Sequence, residues 1–156
     1  MNYITTLNQI VEAKTADEAR TKALAEIKVR EAAPLVLLPL NVYERLRKFH
    51  KKQKEHFIVL LLNTQNEIIK QEIVSVGTLN ASLVHPREVF QPAIATGCAC
   101  IILAHNHPSD HTEPSTEDLL VTKRLKDAGR LLGIELTDHI IIGRDGYYSF
   151  REHNQL

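Results

Sequence analysis

Four side chains that can bind a metal ion or act on a substrate lie close together in the stretch L-A-H-N-H-P-S-D-H-T-E-P-S-T-E-D at 103–118. They are His105, His107, Ser115 and Asp118, which fall within fourteen residues. Neutral imidazole and carboxylate are common zinc ligands, and two His with one carboxylate leave a fourth coordination position for water. The stretch therefore predicts a catalytic metal site with Zn²⁺ as its cofactor.

Each of these residues also has an ordinary explanation. Ser115 and Asp118 fit the S-x-x-D pattern of a helix start, in which the serine caps a backbone N–H and the acid interacts favourably with the positive end of the helix dipole. His111, in the same loop, is predicted to be a solvated side chain. The combination still favours a site, because His105 and His107 are two apart in an extended segment and project to the same side. A carboxylate in the first helical turn can face back toward such a loop.

The elements that would position these residues can be predicted from apolar periodicity and from helix-end signals. Thr15 and Glu18 fit a capping box that opens a helix to about Lys28, and residues 1–40 are predicted to form an N-terminal helical extension. From 41 to 156 we predict a metal-binding domain, an α/β fold in which helices flank a mixed sheet. Its predicted helices are one capped by Asn41 with the apolar stripe Val42, Leu46 and Phe49, then 86–96 and 115–132; its predicted strands are 57–63, 67–77, 98–104, 134–143 and 147–151.

The sequence resembles a known family. The pattern H-x-H, seven residues, S, two residues, D is similar to the signature of the JAMM (MPN-type) metalloproteases. Further strings resemble the bacterial RadC branch of that family, namely A-H-N-H-P-S (104–109), P-S-T-E-D (114–118), T-K-R-L (122–125), D-H-I-I-I-G (138–143), G-T-L-N-A-S (77–82) and H-P-R-E-V-F (85–90). The resemblance covers roughly 41–151 and implies a cytidine-deaminase-like layered α/β domain. It also implies one zinc ion held by His105, His107 and Asp118.

The family uses an upstream glutamate as general acid/base. Glu55 precedes the apolar strand 57–62 in K-E-H-F-I-V-L-L-L, which resembles the family's first motif. If that strand runs antiparallel to 98–104, its start lies beside the end of the other, near His105. Glu88 is the rival, although the helix dipole explains an acid there. The six acids considered are Glu55, Glu67, Glu72, Glu88, Glu113 and Glu117. The resemblance thus implies a metallopeptidase or isopeptidase in which Glu55 moves the proton and Ser115, with the zinc, steadies the oxyanion.

Two departures from the RadC pattern bear on this expectation. Asp110 stands where that branch usually has glycine after H-N-H-P-S; if the backbone there needs a positive φ, Asp tolerates it better than most residues. The chain also has no room for the helix-hairpin-helix domain that longer RadC proteins carry in front. A short form is therefore expected, and DNA binding receives less support from the family name.

Overall charge gives no attraction to nucleic acid or to anionic membranes. The 19 basic and 19 acidic residues balance, and the pI is about 7.1. One basic run, at 45–54, could hold phosphates, but a solvated helix face explains it as well because no aromatic residues are interleaved. No signal peptide or spanning segment is evident, so a cytoplasmic location is expected.

Other candidate ligands have simpler explanations. Cys98 and Cys100 could complete a four-ligand site with the histidines, but at about 3.3 Å per extended residue Cys100 is roughly 16 Å from His105. Buried, inert thiols are favoured. His139 is expected to be a strand histidine with a structural hydrogen bond or a supporting role near the metal. The expected substrate is a peptide or protein conjugate, and the alternative is a DNA-repair-associated or non-catalytic binding protein. The sequence does not specify an oligomeric state.

Overall fold

The computed structural model describes residues 38–77 and 84–156. In these residues a mixed five-stranded sheet is flanked by three α-helices, which confirms the predicted α/β class. The helix predicted from Thr15 to Lys28 lies outside the described residues, as does nearly all of the extension predicted for 1–40. The division into an extension and a metal-binding domain therefore stays a prediction.

The helices begin and end at residues with strong local preferences. They are α1 (Pro39–Leu46), followed by a 3-10 helix (Arg47–Lys51), then α2 (Pro86–Thr96) and α3 (Thr116–Leu132). Proline opens α1 and α2, where a missing N–H costs nothing. Gly97 and Gly133 end α2 and α3 with φ of 63° and 68°, the left-handed conformation that glycine adopts without strain. The predicted bounds of α2 and α3 are confirmed.

The start of α1 differs from the prediction. Asn41 was expected to cap the helix, but Leu38, three residues earlier, holds the capping position and the helix begins at Pro39. The side chain of Asn41 instead reaches back, and its Oδ1 accepts a hydrogen bond from the Leu38 N–H at 3.0 Å. The fixed φ of proline suits the first helical turn, so Pro39 determines the start. The predicted apolar stripe, Val42, Leu46 and Phe49, is buried.

The sheet has the strand order β2-β1-β3-β4-β5. Its strands are β1 (Glu55–Leu62), β2 (Ile68–Gly77), β3 (Cys100–Asn106), β4 (Glu135–Ile142) and β5 (Tyr147–Ser149). β1 pairs antiparallel with β2 and with β3, β3 pairs parallel with β4, and β4 pairs antiparallel with β5. The last strand ends at Ser149 rather than at 151, because the chain turns there and the His153 N–H bonds the Ser149 carbonyl.

Alternation along the strands divides the core into two layers. Even-numbered residues of β1 and β3, such as Leu60 and Ile102, pack against α1 and the 3-10 helix. Odd-numbered residues, such as Val59 and Leu103, pack against α2 and α3. β3 was predicted to end at Ala104 but continues through two more residues that are polar and fully buried. They belong to the strand because they still pair with the neighbouring strands, although they break the apolar pattern.

A bulge in β4 changes which face its residues present. Ile101 pairs with Leu136, whereas Ile102 pairs with Asp138, so one extra residue is inserted at Thr137. Leu136 and His139 therefore face the same side of the sheet, toward α3.

In the part of the chain that the structure describes, no helix combines the length and the apolar content needed to cross a membrane.

Candidate metal centre

Three side chains converge at the edge of the sheet where β3 ends and α3 begins. His105 Nε2 lies 3.0 Å from His107 Nε2 and 3.1 Å from Asp118 Oδ1. His107 Nε2 lies 3.4 Å from Asp118 Oδ2. His105 and Asp118 are fully buried, and the His107 side chain is 12% exposed. This is a group of metal-ligand atoms that a single cation could contact at once.

The arrangement fits a divalent cation better than it fits hydrogen bonding among the three side chains. Bonds of 2.0–2.1 Å to a tetrahedral zinc ion put neighbouring ligand atoms about 3.3 Å apart, close to the separations observed. Asp118 Oδ1 is buried and lies near His105 Nε2, yet no donor is aligned on it for a hydrogen bond. A buried carboxylate oxygen without a donor is costly unless a cation compensates it.

Local structure explains why Asp118 faces inward. Ser115 caps α3: its Oγ accepts the Asp118 N–H at 3.2 Å and donates its own proton to Asp118 Oδ2 at 2.6 Å. The Ser115 N–H donates to the same oxygen at 2.7 Å. This reciprocal capping box fixes the carboxylate over the first turn of the helix. The capping role expected for Ser115 is therefore present, and its hydroxyl lies beside the cluster.

The outer nitrogen of each histidine also has a partner. His107 Nδ1 donates to the backbone carbonyl of His111 at 2.6 Å, so the neutral form of His107 has its lone pair on Nε2. His105 Nδ1 lies 2.9 Å from Nε2 of His139, and His139 Nδ1 lies 2.6 Å from Thr122 Oγ1. Sequence reasoning left the role of His139 open and missed Thr122. The signal for Thr122 was its position four residues after Asp118, on the same helix face.

The charges of the cluster shift its pKa values. Burial disfavours the charge on Asp118, but the close His105 and His107 rings and the hydrogen bond from Ser115 outweigh it and hold the pKa of that carboxyl well below its usual range. Burial also acts to lower the pKa of His107, but Asp118, the His111 carbonyl and the charge of Glu55 outweigh it and raise the pKa. Asp118 is therefore a carboxylate at neutral pH, which is the form that binds cations.

Glu55 begins β1 on the face that carries the cluster. Phe57, two residues later, is paired across the strands with His105, and their rings stack at 5.9 Å. Glu55 lies on the same face by the alternation of the strand, half-buried, and near enough to affect the pKa of His107. The antiparallel pairing of this strand with β3, which was the condition for placing Glu55 near His105, is present. The catalytic role of Glu55 stays a prediction.

A buried asparagine ties the segment around Glu55 to the end of β3. Asn106 Oδ1 accepts the His56 N–H at 2.8 Å, and its Nδ2 donates to the carbonyls of Lys54 at 3.1 Å and Lys52 at 3.4 Å. Because neighbouring strand residues point to opposite faces, Asn106 makes these bonds on the side away from the two histidines. Sequence reasoning did not single it out, although its place between the histidines was a signal.

The loop between β3 and α3 has the backbone shape expected at Asp110. Its φ is 61°, so the position does take the left-handed conformation for which the RadC pattern uses glycine. Asp110 Oδ2 also forms an ion pair with Arg144 at 3.0 Å. Gly143 lies under this loop, where an added Cβ would be 2.7 Å from Thr112 Cγ2 and 2.8 Å from the Asp110 carbonyl oxygen. The loop therefore accepts aspartate at position 110 in its backbone conformation and through the Arg144 pair, while Asp110 Oδ1 is buried without a hydrogen-bond partner among the described residues.

The other candidate residues lie outside the cluster. Cys98 and Cys100 are buried free thiols, and the group of potential ligands found among the described residues excludes them. Glu67 bonds Asn63 at the β1–β2 turn, at the opposite end of β1 from Glu55. Of the remaining acids, Glu72 pairs with Lys70, and Glu88, Glu113 and Glu117 are exposed and lie outside the group of potential ligands. The basic side chains Arg45, Arg47, Lys48, Lys51, Lys52 and Lys54 are all exposed.

Comparisons with known proteins identify the family of this chain. The profile of a family described as "RadC-like JAB domain" matches residues 38–155. A UPF0758 protein of Rubrobacter xylanophilus is 52% identical over 124 residues, which are 79% of this chain and 54% of that protein. A UPF0758 protein of Chlorobium phaeovibrioides is 56% identical over 117 residues, which are 74% of this chain and 52% of that protein. A UPF0758 protein of Methanosarcina mazei is 45% identical over 150 residues, which are 94% of this chain and 66% of that protein. The chain thus spans about half to two thirds of the length of these curated relatives.

Proposed function

Because the chain belongs to the RadC-like JAB domain family, we propose that it is a zinc-dependent hydrolase. The proposed reaction is cleavage of an amide bond in a peptide or protein conjugate, as by a metallopeptidase or isopeptidase. The observation that carries this proposal is the convergence of two imidazoles and a carboxylate on one point, with a buried carboxylate oxygen that lacks a donor.

The donor set favours zinc over harder cations. His105, His107 and Asp118 would hold the ion, and imidazole nitrogen is a better ligand for zinc than for magnesium or calcium. Zinc bound by three side chains acts as a Lewis acid and lowers the pKa of a coordinated water to about 7. The remaining steps require a base, a donor to the substrate and fixed ligand geometry, which the chain's own residues supply.

Glu55 is proposed to move the proton. It would accept a proton from the attacking water and give it to the leaving amine, the two roles of a general acid/base. Its support is its place at the start of β1, on the face of the cluster, where its charge raises the pKa of His107. Asn106 holds the backbone on both sides of it through Lys54 and His56.

Ser115 is proposed to donate a hydrogen bond to the developing oxyanion. Its single hydroxyl proton points to Asp118 Oδ2 here, so this role requires the hydroxyl to rotate toward the substrate. The backbone N–H of Ser115 also bonds Asp118 Oδ2 and would keep the carboxylate in place during that rotation. Ser115→Ala would therefore lose turnover while retaining most of the metal affinity.

Metal analysis combined with two matched variants tests the proposal. The wild-type protein is expected to bind one zinc per chain, and His107→Ala to bind it weakly or not at all. Glu55→Gln should keep the zinc and lose at least about 100-fold in the hydrolysis of an amide substrate library, the usual contribution of a general acid/base. Glu88→Gln, an exposed acid in the first turn of α2, is the control and should retain activity. Full activity in Glu55→Gln would reject the assigned base.

The alternative, a DNA-repair-associated or non-catalytic binding protein, makes a different prediction. It draws on the exposed basic run at 45–54 and requires affinity for DNA that falls steeply as salt rises. Zinc binding with no hydrolysis of any amide in the library, together with such affinity, would favour it. A cytoplasmic location stays part of the proposal and is testable by fractionation.

A further inference from the structure

A buried row of hydrogen bonds runs from α3 across the sheet to the outer nitrogen of His105. Thr122 Oγ1 lies 2.6 Å from the Asp118 carbonyl oxygen and 2.6 Å from His139 Nδ1. His139 Nε2 lies 2.9 Å from His105 Nδ1. Thr122, His139 and His105 are each at most 2% exposed, so water cannot replace these partners. The row links two proposed metal ligands, His105 and Asp118, through two residues outside the group of potential ligands.

Counting protons fixes the direction of every bond in the row. A carbonyl oxygen only accepts, so at 2.6 Å the single hydroxyl proton of Thr122 must lie between it and the Asp118 carbonyl. The hydroxyl therefore accepts from His139, whose one ring proton is then on Nδ1. His139 Nε2 has only a lone pair and must accept from His105. The proton of His105 is thereby placed on Nδ1.

We propose that Thr122 and His139 are positioning residues that hold His105 in the Nδ1–H tautomer, with the lone pair of Nε2 directed at the metal. This inference rests on the proposed metal site and goes beyond it by assigning two residues that prepare the site before a metal arrives. The partners of metal-bound histidines commonly fix their tautomer and orientation in this way. Here the acceptor is a second histidine, itself fixed by a threonine.

The electrostatics of the site show why such a device is needed. The Asp118 carboxylate lies 3.1 Å from His105 Nε2 and would attract a proton to that nitrogen, which blocks metal binding. An acceptor at Nδ1 opposes this pull, because moving the proton to Nε2 would break the bond to His139. Phe150 stacks on the His139 ring at 4.8 Å and Phe57 meets its edge at 5.6 Å, so the ring cannot turn away.

The first test needs no variant and no metal. In metal-free wild-type protein labelled with ¹⁵N at histidine, the ring-nitrogen chemical shifts distinguish protonated from unprotonated nitrogens. We expect His139 to carry its proton on Nδ1 alone and His105 to carry one on Nδ1. An unprotonated Nδ1 in His105 would overturn the inference, whether or not the protein hydrolyses anything.

The second test compares isosteric variants by zinc affinity in competition with a chromophoric chelator. Thr122→Val removes the hydroxyl that orients His139 and should weaken zinc binding about 10–100-fold, the usual effect of losing such a partner. Thr122→Ser keeps the hydroxyl and should restore affinity. Thr96→Val is the matched control and should keep wild-type zinc affinity, since the Thr96 hydroxyl also bonds the carbonyl four residues earlier in its helix, that of Pro92, and lies outside the row.

The outcomes separate this inference from the proposed function. Hydrolysis with wild-type zinc affinity in Thr122→Val would leave the function standing and reject the positioning role. If the tautomers are as expected and Thr122→Val weakens zinc binding, but no amide is hydrolysed, the positioning role stands and the proposed function is rejected. If Thr122→Val does not fold, the ring-nitrogen measurement on wild-type protein decides the question.

Discussion

Replacing Asn106 with leucine would separate the placement of Glu55 from the binding of metal. Leucine has the same number and branching of side-chain heavy atoms as asparagine, and its methyl groups take more room, so the change removes hydrogen bonds without opening a cavity. Asn106 makes three such bonds, at 2.8, 3.1 and 3.4 Å, to the backbone on both sides of Glu55. Its side chain is fully buried at the end of β3. The variant would therefore release the start of β1 from the strand that holds the histidines.

The size of the effect follows from which groups lose their partners. The carbonyls of Lys52 and Lys54 belong to exposed residues and can bond water, whereas the His56 N–H is partly buried. With about 1 kcal/mol for each well-formed bond and a further penalty for a buried unpaired group, Asn106→Leu should lower the free energy of unfolding by about 2 kcal/mol. The rate of hydrolysis should fall by more than the loss of folded protein accounts for, because Glu55 loses its fixed position.

Three measurements and one control check this reasoning. Denaturant unfolding gives the free energy, hydrogen exchange reports the His56 amide, and zinc competition reports the metal site, which should be nearly unchanged. Asn63→Leu is the control, because Asn63 also makes three hydrogen bonds but at the other end of β1. It should lower stability while leaving turnover intact. Wild-type stability with a protected His56 amide in Asn106→Leu would refute the argument.

Three further predictions concern the metal, pH and the loop. Zinc at 100 times its dissociation constant should raise the free energy of unfolding by about 2.7 kcal/mol, and a chelator should reverse the shift; no change in melting temperature would contradict the site. Burial raises the pKa of the Asp138 carboxyl in the folded protein. As pH rises above about 4, the aspartate ionises freely only in the unfolded chain, so the free energy of unfolding of wild type should fall relative to that of Asp138→Asn. A relative free energy that rises with pH would contradict this. Gly143→Ala should cost about 1–3 kcal/mol of unfolding free energy and weaken zinc binding, because the added Cβ would press on Thr112 and Asp110. Gly146→Ala is the control, since a Cβ there meets no atom within 4 Å. Equal stability of the two variants would contradict the prediction.

Residues with strong local preferences made much of the fold predictable. Pro86 and Gly97 mark the ends of α2, and Ser115 and Gly133 mark those of α3, because each residue has a conformational reason to stop or start a helix there. The apolar run of β1 likewise predicted a buried strand. The convergence of the candidate ligands followed from this order of elements, since one strand end and one helix start hold all of them.

Features that depend on strand pairing could not be predicted. β3 continues through His105 and Asn106, which pair with β1 or β4 although their polar side chains suggest a loop. The face presented by His139 depends on the bulge at Thr137, and simple alternation from Leu136 would have turned this histidine away from α3. A bulge leaves no clear signal in one sequence. The supporting role of His139 was therefore undecidable until the register was known.

The exposure of the site residues indicates the side from which a substrate must approach. His105 and Asp118 are closed off by the sheet and α3, whereas His107 is 12% exposed, Glu55 is half-buried and Ser115 is exposed. A substrate bound at the proposed metal site would therefore approach from the side of His107, Glu55 and Ser115. That histidine is also the ligand that depends on the loop, because its Nδ1 bonds the His111 carbonyl. Changes in the loop should therefore affect the open side of the site first, while the buried pair keeps its geometry through β3 and α3.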